Sequence, residues 1–144
     1  DKIVIPSFTF ISTPEMASKL GLEIVWVDCN RENYTINTDN LAGLVSSIKD
    51  IKAIVGVDIF GHTCDWDTIK KIADDIPLVQ DAAQSFGGRY KNLINGSYND
   101  LTCFSFYPAK NMFCFALIPS YFSCKYNIFL KKHVVGSVNY FLFF

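Results

Sequence analysis

A chain of 144 residues suits one domain and can bury a real core. Half of its residues are hydrophobic and its net charge is −1, so nothing points to a nucleic-acid partner. The five cysteines, at 29, 64, 103, 114 and 124, are odd in number and form no CxxC pair, which predicts reduced core thiols in a cytoplasmic protein rather than disulfides or a metal site.

Ile3-Val4-Ile5 is a short β-like run stopped by Pro6. Ser12-Thr13-Pro14-Glu15 then reads as a capping box, with Ser12 as cap, opening a helix that runs to Leu20 and stops at Gly21. Glu23 to Val27 forms a second strand, finished by Asp28. After a polar loop containing Tyr34, Thr38 caps a helix from Asp39 to about Ile48, whose Leu41, Leu44, Val45 and Ile48 make a one-sided apolar face. Ala53 to Ile59 is a third strand, and its nearly unbroken apolar run is that of a strand covered on both faces. Asp65 caps a helix over Trp66 to Ala73. His62 and Cys64 precede it, but no second pair of ligands follows, so His62 reads as a loop residue. Pro77 to Gln80 is the fourth strand and delivers Asp81. Arg89-Tyr90-Lys91 to Asn95-Gly96-Ser97 reads as a hairpin with an Asn-Gly turn, and Leu101 to Phe106 as the next strand. No GxGxxG motif is present, which removes a dinucleotide-binding reading.

The stretch from Val79 to Lys110 carries the chemistry. An apolar run ends at Asp81 and another leads to Lys110, as where strands deliver residues to the rim of an α/β sheet. A pyridoxal-phosphate site requires this pairing: a lysine amine for the Schiff base and a carboxylate that keeps the pyridine nitrogen protonated. Read locally, Asp81 is equally a cap or turn residue, and Phe10 a core phenylalanine beside a helix start.

Three separated motifs sharpen the reading: Pro6-Ser7-Phe8-Thr9-Phe10, Asp81-Ala82-Ala83-Gln84-Ser85-Phe86-Gly87 and Ser105-Phe106-Tyr107-Pro108-Ala109-Lys110-Asn111. In kind, order and spacing the sequence resembles the DegT/DnrJ/EryC1/StrS sugar aminotransferases, within the fold-type I pyridoxal-phosphate enzymes. The resemblance covers about residues 1–112 and implies an α/β fold: part of a three-layer α/β/α large domain with a mostly parallel sheet. It further implies that Phe10 stacks on the cofactor ring, Asp81 holds its pyridine nitrogen, Gln84 bonds its phenolic oxygen, Ser105 its phosphate, and Lys110 links it and moves the proton. The implied partners are an amino-acid donor such as glutamate, a nucleotide-linked keto-sugar destined for surface polysaccharide or a glycosylated metabolite, and a second subunit in a homodimer. Lysine at 110, where a related branch has histidine and dehydrates, argues for transamination.

The last part of the chain reads differently. All fourteen Asp and Glu residues precede Lys110, whereas the residues after it are rich in Phe and Tyr with only Lys125, Lys131 and Lys132 as fixed charges. The expected division is therefore a partial cofactor-binding large domain over 1–111 and an atypical tail over 112–144, such as an out-of-frame reading produces. The chain then looks like an internal piece of a longer enzyme, and the alternative to an aminotransferase is a truncated, inactive remnant of one. No signal peptide is visible. The tail has neither the ~18–20-residue apolar run of a membrane span nor an amphipathic face, so a membrane role is not expected.

Overall fold

Five apolar runs separated by helices or loops specify a covered parallel sheet, and that sheet is what forms. The computed structural model describes residues 1–105. Strands β1 (Lys2–Pro6), β2 (Glu23–Val27), β3 (Ile51–Val57) and β4 (Leu78–Asp81) alternate with helices α1 (Ser12–Lys19), α2 (Thr38–Ser47) and α3 (Trp66–Ala73). A small antiparallel pair, β5 (Arg89–Tyr90) and β6 (Leu93–Ile94), precedes the last described strand, β7 (Leu101–Cys103). The large sheet has the order β2-β1-β3-β4-β7, with every neighbouring pair parallel. The chain leaves β1 toward β2 and then crosses back to β3 on the other side, creating the reversal at whose strand carboxyl ends α/β proteins bind ligands.

Side chains alternate across each strand, and the two faces build separate cores. On one face Val4, Val27, Ile54 and Leu78 pack with Leu41 of α2 and with Trp66, Ile69 and Ala73 of α3. On the other, Ile5, Val55 and Val57 pack with Ala17 of α1, flanked by Ile3, Ile24 and Val79. Helices thus cover both faces, giving the three-layer α/β arrangement.

Several boundaries differ from the sequence expectation. The residue before α1 is Ile11, with no side-chain cap, and Ser12 lies inside the helix instead of capping it. The first turn's hydroxyl chemistry is redirected to the tertiary structure, as described below for Thr13. Helix α2 is capped by Asn37, whose side chain accepts from the Asn40 N–H at 2.9 Å, and not by Thr38. Strand β3 begins at Ile51 and ends at Val57, because Ile59–Gly61 turns into a 3-10 segment in which Phe60 adopts φ 55°. The hairpin turns at Lys91-Asn92, so Asn95-Gly96 falls after its second strand. Asn95 is there buried in a polar network, a role its neighbour Gly96 conceals in sequence. By contrast, Asp65 caps α3 as expected, accepting from the Thr68 N–H and hydroxyl, and Gly21 follows α1 with φ 73°. Phe106, Lys110 and the tail over 112–144 lie outside the described residues.

Gly56 of β3 shows how tightly the α3 face is packed. A Cβ there would run into the ring of Trp66, a fully buried side chain. Overpacking a core in this way costs about 1–3 kcal/mol. Gly56→Ala is therefore expected to lower the unfolding free energy by roughly that amount, read from the midpoint and slope of an equilibrium urea titration.

Candidate active site

Period-two alternation on β4 decides what lies where. Leu78 and Gln80 point to the α2–α3 face, whereas Val79 and Asp81 point to the α1 face. Asp81 is the last residue of the strand, so its carboxylate sits at the sheet rim, half-buried against the first turn of α1. There Thr13 donates its hydroxyl to Asp81 Oδ2 at 3.0 Å, and the Ala83 N–H donates to Oδ1 at 3.1 Å. Both donors are neutral, so they aim the carboxylate without neutralising it. The backbone N–H of the same Thr13 bonds to the Phe10 carbonyl at 3.1 Å, and Thr9 donates its hydroxyl to that of Thr13 at 3.5 Å. One threonine thus ties the loop carrying Phe10 to Asp81 across 68 positions of sequence.

The other candidates cluster at the same end of the sheet. Phe10 follows β1 and is 63% exposed, a ring held out from the core. Gln84 follows β4, and its Oε1 accepts from the Phe60 N–H at 2.5 Å. Ser105 lies two residues past β7, whose Cys103 is in register with Asp81. The structure therefore brings Phe10, Asp81, Gln84 and Ser105 to the carboxyl-terminal rim of β1, β4 and β7; Lys110 lies outside the described residues. Beside this rim, at the ends of β1 and β2, a cavity of about 570 Å³ is lined by Ser7, Asp28, Asn30, Arg31 and Asn37.

Beneath the rim, on the α2–α3 face, a buried polar network surrounds Asp58. This fully buried carboxylate accepts from the Cys64 N–H at 3.1 Å, Gln80 Nε2 at 2.6 Å, Ser85 Oγ at 3.0 Å and Asn95 Nδ2 at 3.3 Å. Gln80 is itself saturated: its Nε2 also reaches the Tyr98 hydroxyl at 3.0 Å, and its Oε1 accepts from Thr102 and Asn99. The Tyr98 hydroxyl in turn donates to Asn95 Oδ1 at 2.6 Å. Burial pushes the Asp58 carboxyl above its ordinary range, opposed by the hydrogen bonds from Cys64, Gln80 and Ser85. The same burial, reinforced by Asp58, raises the Cys64 thiol and the Tyr98 phenol, so both are neutral donors. Cys103, beside Asp81, is pushed up to about 12, first by burial.

Thr13 and Asp58 were not legible as site residues. Thr13 lies within a four-residue string that spells a capping box, and its partner is 68 positions away. Asp58 falls inside the run Ala53 to Ile59 that the sequence predicts as a strand. The only sequence signal for it was a charge at the end of a covered strand. His62 and Cys64 remain apart in role: Cys64 is fully buried and donates its thiol to the Val57 carbonyl at 3.3 Å. Among the described residues no group of three or more His, Cys, Asp or Glu side chains gathers around a common point, and no helix is long and apolar enough to cross a membrane.

A mostly parallel sheet covered by helices on both faces, with an oriented carboxylate and an exposed aromatic ring at its carboxyl-terminal rim, defines the class of α/β domain. The model of the DegT/DnrJ/EryC1/StrS aminotransferase family matches residues 1–116, and the chain belongs to that family. It is 34% identical over 117 residues to a UDP-2-acetamido-2-deoxy-3-oxo-D-glucuronate aminotransferase of Pseudomonas aeruginosa, which covers 80% of this chain and 32% of the relative. Among solved structures, DesV of Streptomyces venezuelae in complex with a ketimine intermediate superposes with a TM-score of 0.74 at 31% identity, over 80% of this chain and 31% of that one. The PLP-form of Spr1654 from Streptococcus pneumoniae superposes with a TM-score of 0.71 at 26% identity, over 77% of this chain and 32% of that one. The chain thus spans about a third of the length of the curated relatives it matches.

Two outcomes test this geometry. Thr13→Val keeps the shape of the side chain and removes the hydroxyl donor to Asp81. It is expected to cost about 1.5–3 kcal/mol, the range for a hydrogen bond to a charged group, measured by urea unfolding. The second concerns pH. A carboxyl whose folded-state pKa lies above its unfolded value stabilises fully below the unfolded pKa, and that contribution is lost as pH rises through the folded one. Stability is therefore expected to fall as pH rises from the ordinary aspartate value of about 4 through the raised value. Asp58→Asn removes this part of the slope, which urea midpoints taken in steps upward from about pH 4 would reveal.

Proposed function

We propose that this chain supplies part of the cofactor-binding large domain of a nucleotide-sugar aminotransferase, carried by residues 1–111. The observation that carries this reading is the Asp81 carboxylate, fixed at the sheet rim by Thr13 and Ala83, in a chain whose family relatives are aminotransferases. The donor set fits pyridoxal phosphate. A carboxylate oriented by Thr13 and Ala83 suits a protonated pyridine nitrogen, an exposed Phe10 ring suits stacking, and a Gln84 side chain carrying an amide NH2 suits a phenolic oxygen. The chemistry that bound pyridoxal phosphate supplies is electron withdrawal through its protonated ring.

In this reading Asp81 keeps the ring nitrogen protonated, Ser105 offers its hydroxyl to the phosphate, and Phe10 fixes the plane of the ring. Lys110 would hold the cofactor through its Nζ, and its amine would move the proton at the substrate carbon. Its amine must be neutral to do either, which nearby positive charge and burial favour. The donor would be an amino acid such as glutamate and the acceptor a nucleotide-linked keto-sugar. The relatives' names support that acceptor class: the Pseudomonas protein is a UDP-sugar aminotransferase and a Streptomyces venezuelae relative a dTDP-amino-sugar transaminase. A cytoplasmic homodimer serving surface polysaccharide or glycosylated metabolites completes the proposal. The tail over 112–144 is proposed to lie outside the family's pattern.

The test is direct. The purified chain is mixed with pyridoxal phosphate, its visible absorption is recorded, and the adduct is fixed with borohydride and located by peptide mass. A saturable band with the label on Lys110, absent in Lys110→Ala, is the expected result. Label scattered over surface lysines would assign the chain to the alternative, an inactive remnant of such an enzyme.

A further inference from the structure

The exit of β3 grips the loop that follows β4 at three points. The Asp58 N–H bonds to the Asp81 carbonyl at 3.0 Å. The Asp58 side chain accepts from the Ser85 hydroxyl at 3.0 Å. The Phe60 N–H bonds to Gln84 Oε1 at 2.5 Å, and Phe60 adopts a left-handed φ of 55°. A bulky residue in that region is strained by about 1–3 kcal/mol, tolerated only where the surroundings over-determine it. Both ends of the segment that carries Asp81 and Gln84 are therefore held by the two residues Asp58 and Phe60.

The Asp58 carboxylate is an unusual choice for a purely structural role. Four neutral donors converge on it, and among the described residues no cation faces it: the groups packed around it are Cys64, Gln80, Ser85 and Asn95, with Tyr98 one bond further away. A buried carboxylate without a counter-ion costs several kcal/mol in effective desolvation, offset only by such a full set of hydrogen bonds. An apolar residue of similar size would pack here without that cost. What it could not do is accept from Ser85 and Asn95 together. Asn95 completes the arrangement by donating to both the carbonyl and the hydroxyl oxygen of Ser85 at 2.9 Å.

We propose that Asp58 is a positioning residue, setting the Asp81–Ser85 loop so that Asp81 and Gln84 face the cofactor from fixed places. The proposal rests on the pyridoxal-phosphate reading above for its purpose, but not for its physical content. Asp58 touches neither cofactor nor substrate in this scheme. It acts through Ser85 at one end of the loop and through the Asp81 backbone at the other.

The experiment compares amide hydrogen exchange of the full chain without cofactor in the wild type, Asp58→Asn and Ser85→Ala. Peptides covering 82–88 are read against peptides covering β1 and β3. The expected result is exchange about tenfold faster in the loop of both variants, roughly the loss of one hydrogen bond to a charged group, with β1 and β3 unchanged. Affinity for pyridoxal phosphate, read by absorbance, is expected to fall by a similar factor. Acceleration spread equally over loop and strands, or a loop that exchanges as in the wild type, would overturn the proposal. If Asp58→Asn does not fold, Ser85→Ala, which removes the hydroxyl that bonds Asp58 and Asn95 and leaves the carboxylate in place, decides alone. If the wild type shows no cofactor band, the functional reading fails, while the exchange contrast still decides whether Asp58 sets the loop.

Discussion

The arrangement depends on the two-residue period of β4. Successive side chains on a strand face opposite ways, so Gln80 and Asp81 are committed to opposite sides of the sheet. Gln80 enters a buried network with Asp58, Tyr98, Asn99 and Thr102, while Asp81 emerges at the rim against α1. A slip of one residue would turn the rim carboxylate toward the α2–α3 face and the glutamine toward the α1 face. The parallel register of β4 with β3 and β7, Val57 to Asp81 and Asp81 to Cys103, prevents that slip.

The same register explains why polar groups are admitted so deep beneath the rim. A loop leaving a strand end has backbone donors and acceptors that the sheet no longer satisfies, and buried groups of that kind must find partners. Asp58 and Asn95 provide them for Ser85 and its surroundings. The aromatic side chains on the solvent side follow another logic. Phe8, Tyr34 and Phe60 lie 5.5–6.1 Å apart by ring centroid, each partly exposed, with Tyr34 and Phe60 both at positive φ. Local backbone preference yields there to the packing of three loops around one end of the sheet.

Legibility in the sequence followed the range of the interaction. Strand β2 and helix α3 begin and end where their residues alone place them, because an apolar run, an Asp65 cap and a lysine-containing last turn all act within a few positions. The capping box at Ser12 failed for the converse reason. Its neighbour Thr13 sends its hydroxyl to Asp81, and helix α1 starts without any side-chain cap. Asn95-Gly96 likewise spells a hairpin turn, yet burial of Asn95 against Ser85 and Tyr98 moves the turn to Lys91-Asn92.

What the sequence by itself determined is the class of fold, the family and the identity of the residues available for chemistry, since periodicity, turn chemistry and three separated motifs are local signals. Tertiary structure alone decided how those residues are aimed. The Thr13 bond to Asp81 joins positions 68 apart and the Asp58 bond to Ser85 positions 27 apart. Such contacts depend on strand order and register, which emerge only when the apolar faces of the whole sheet are buried together.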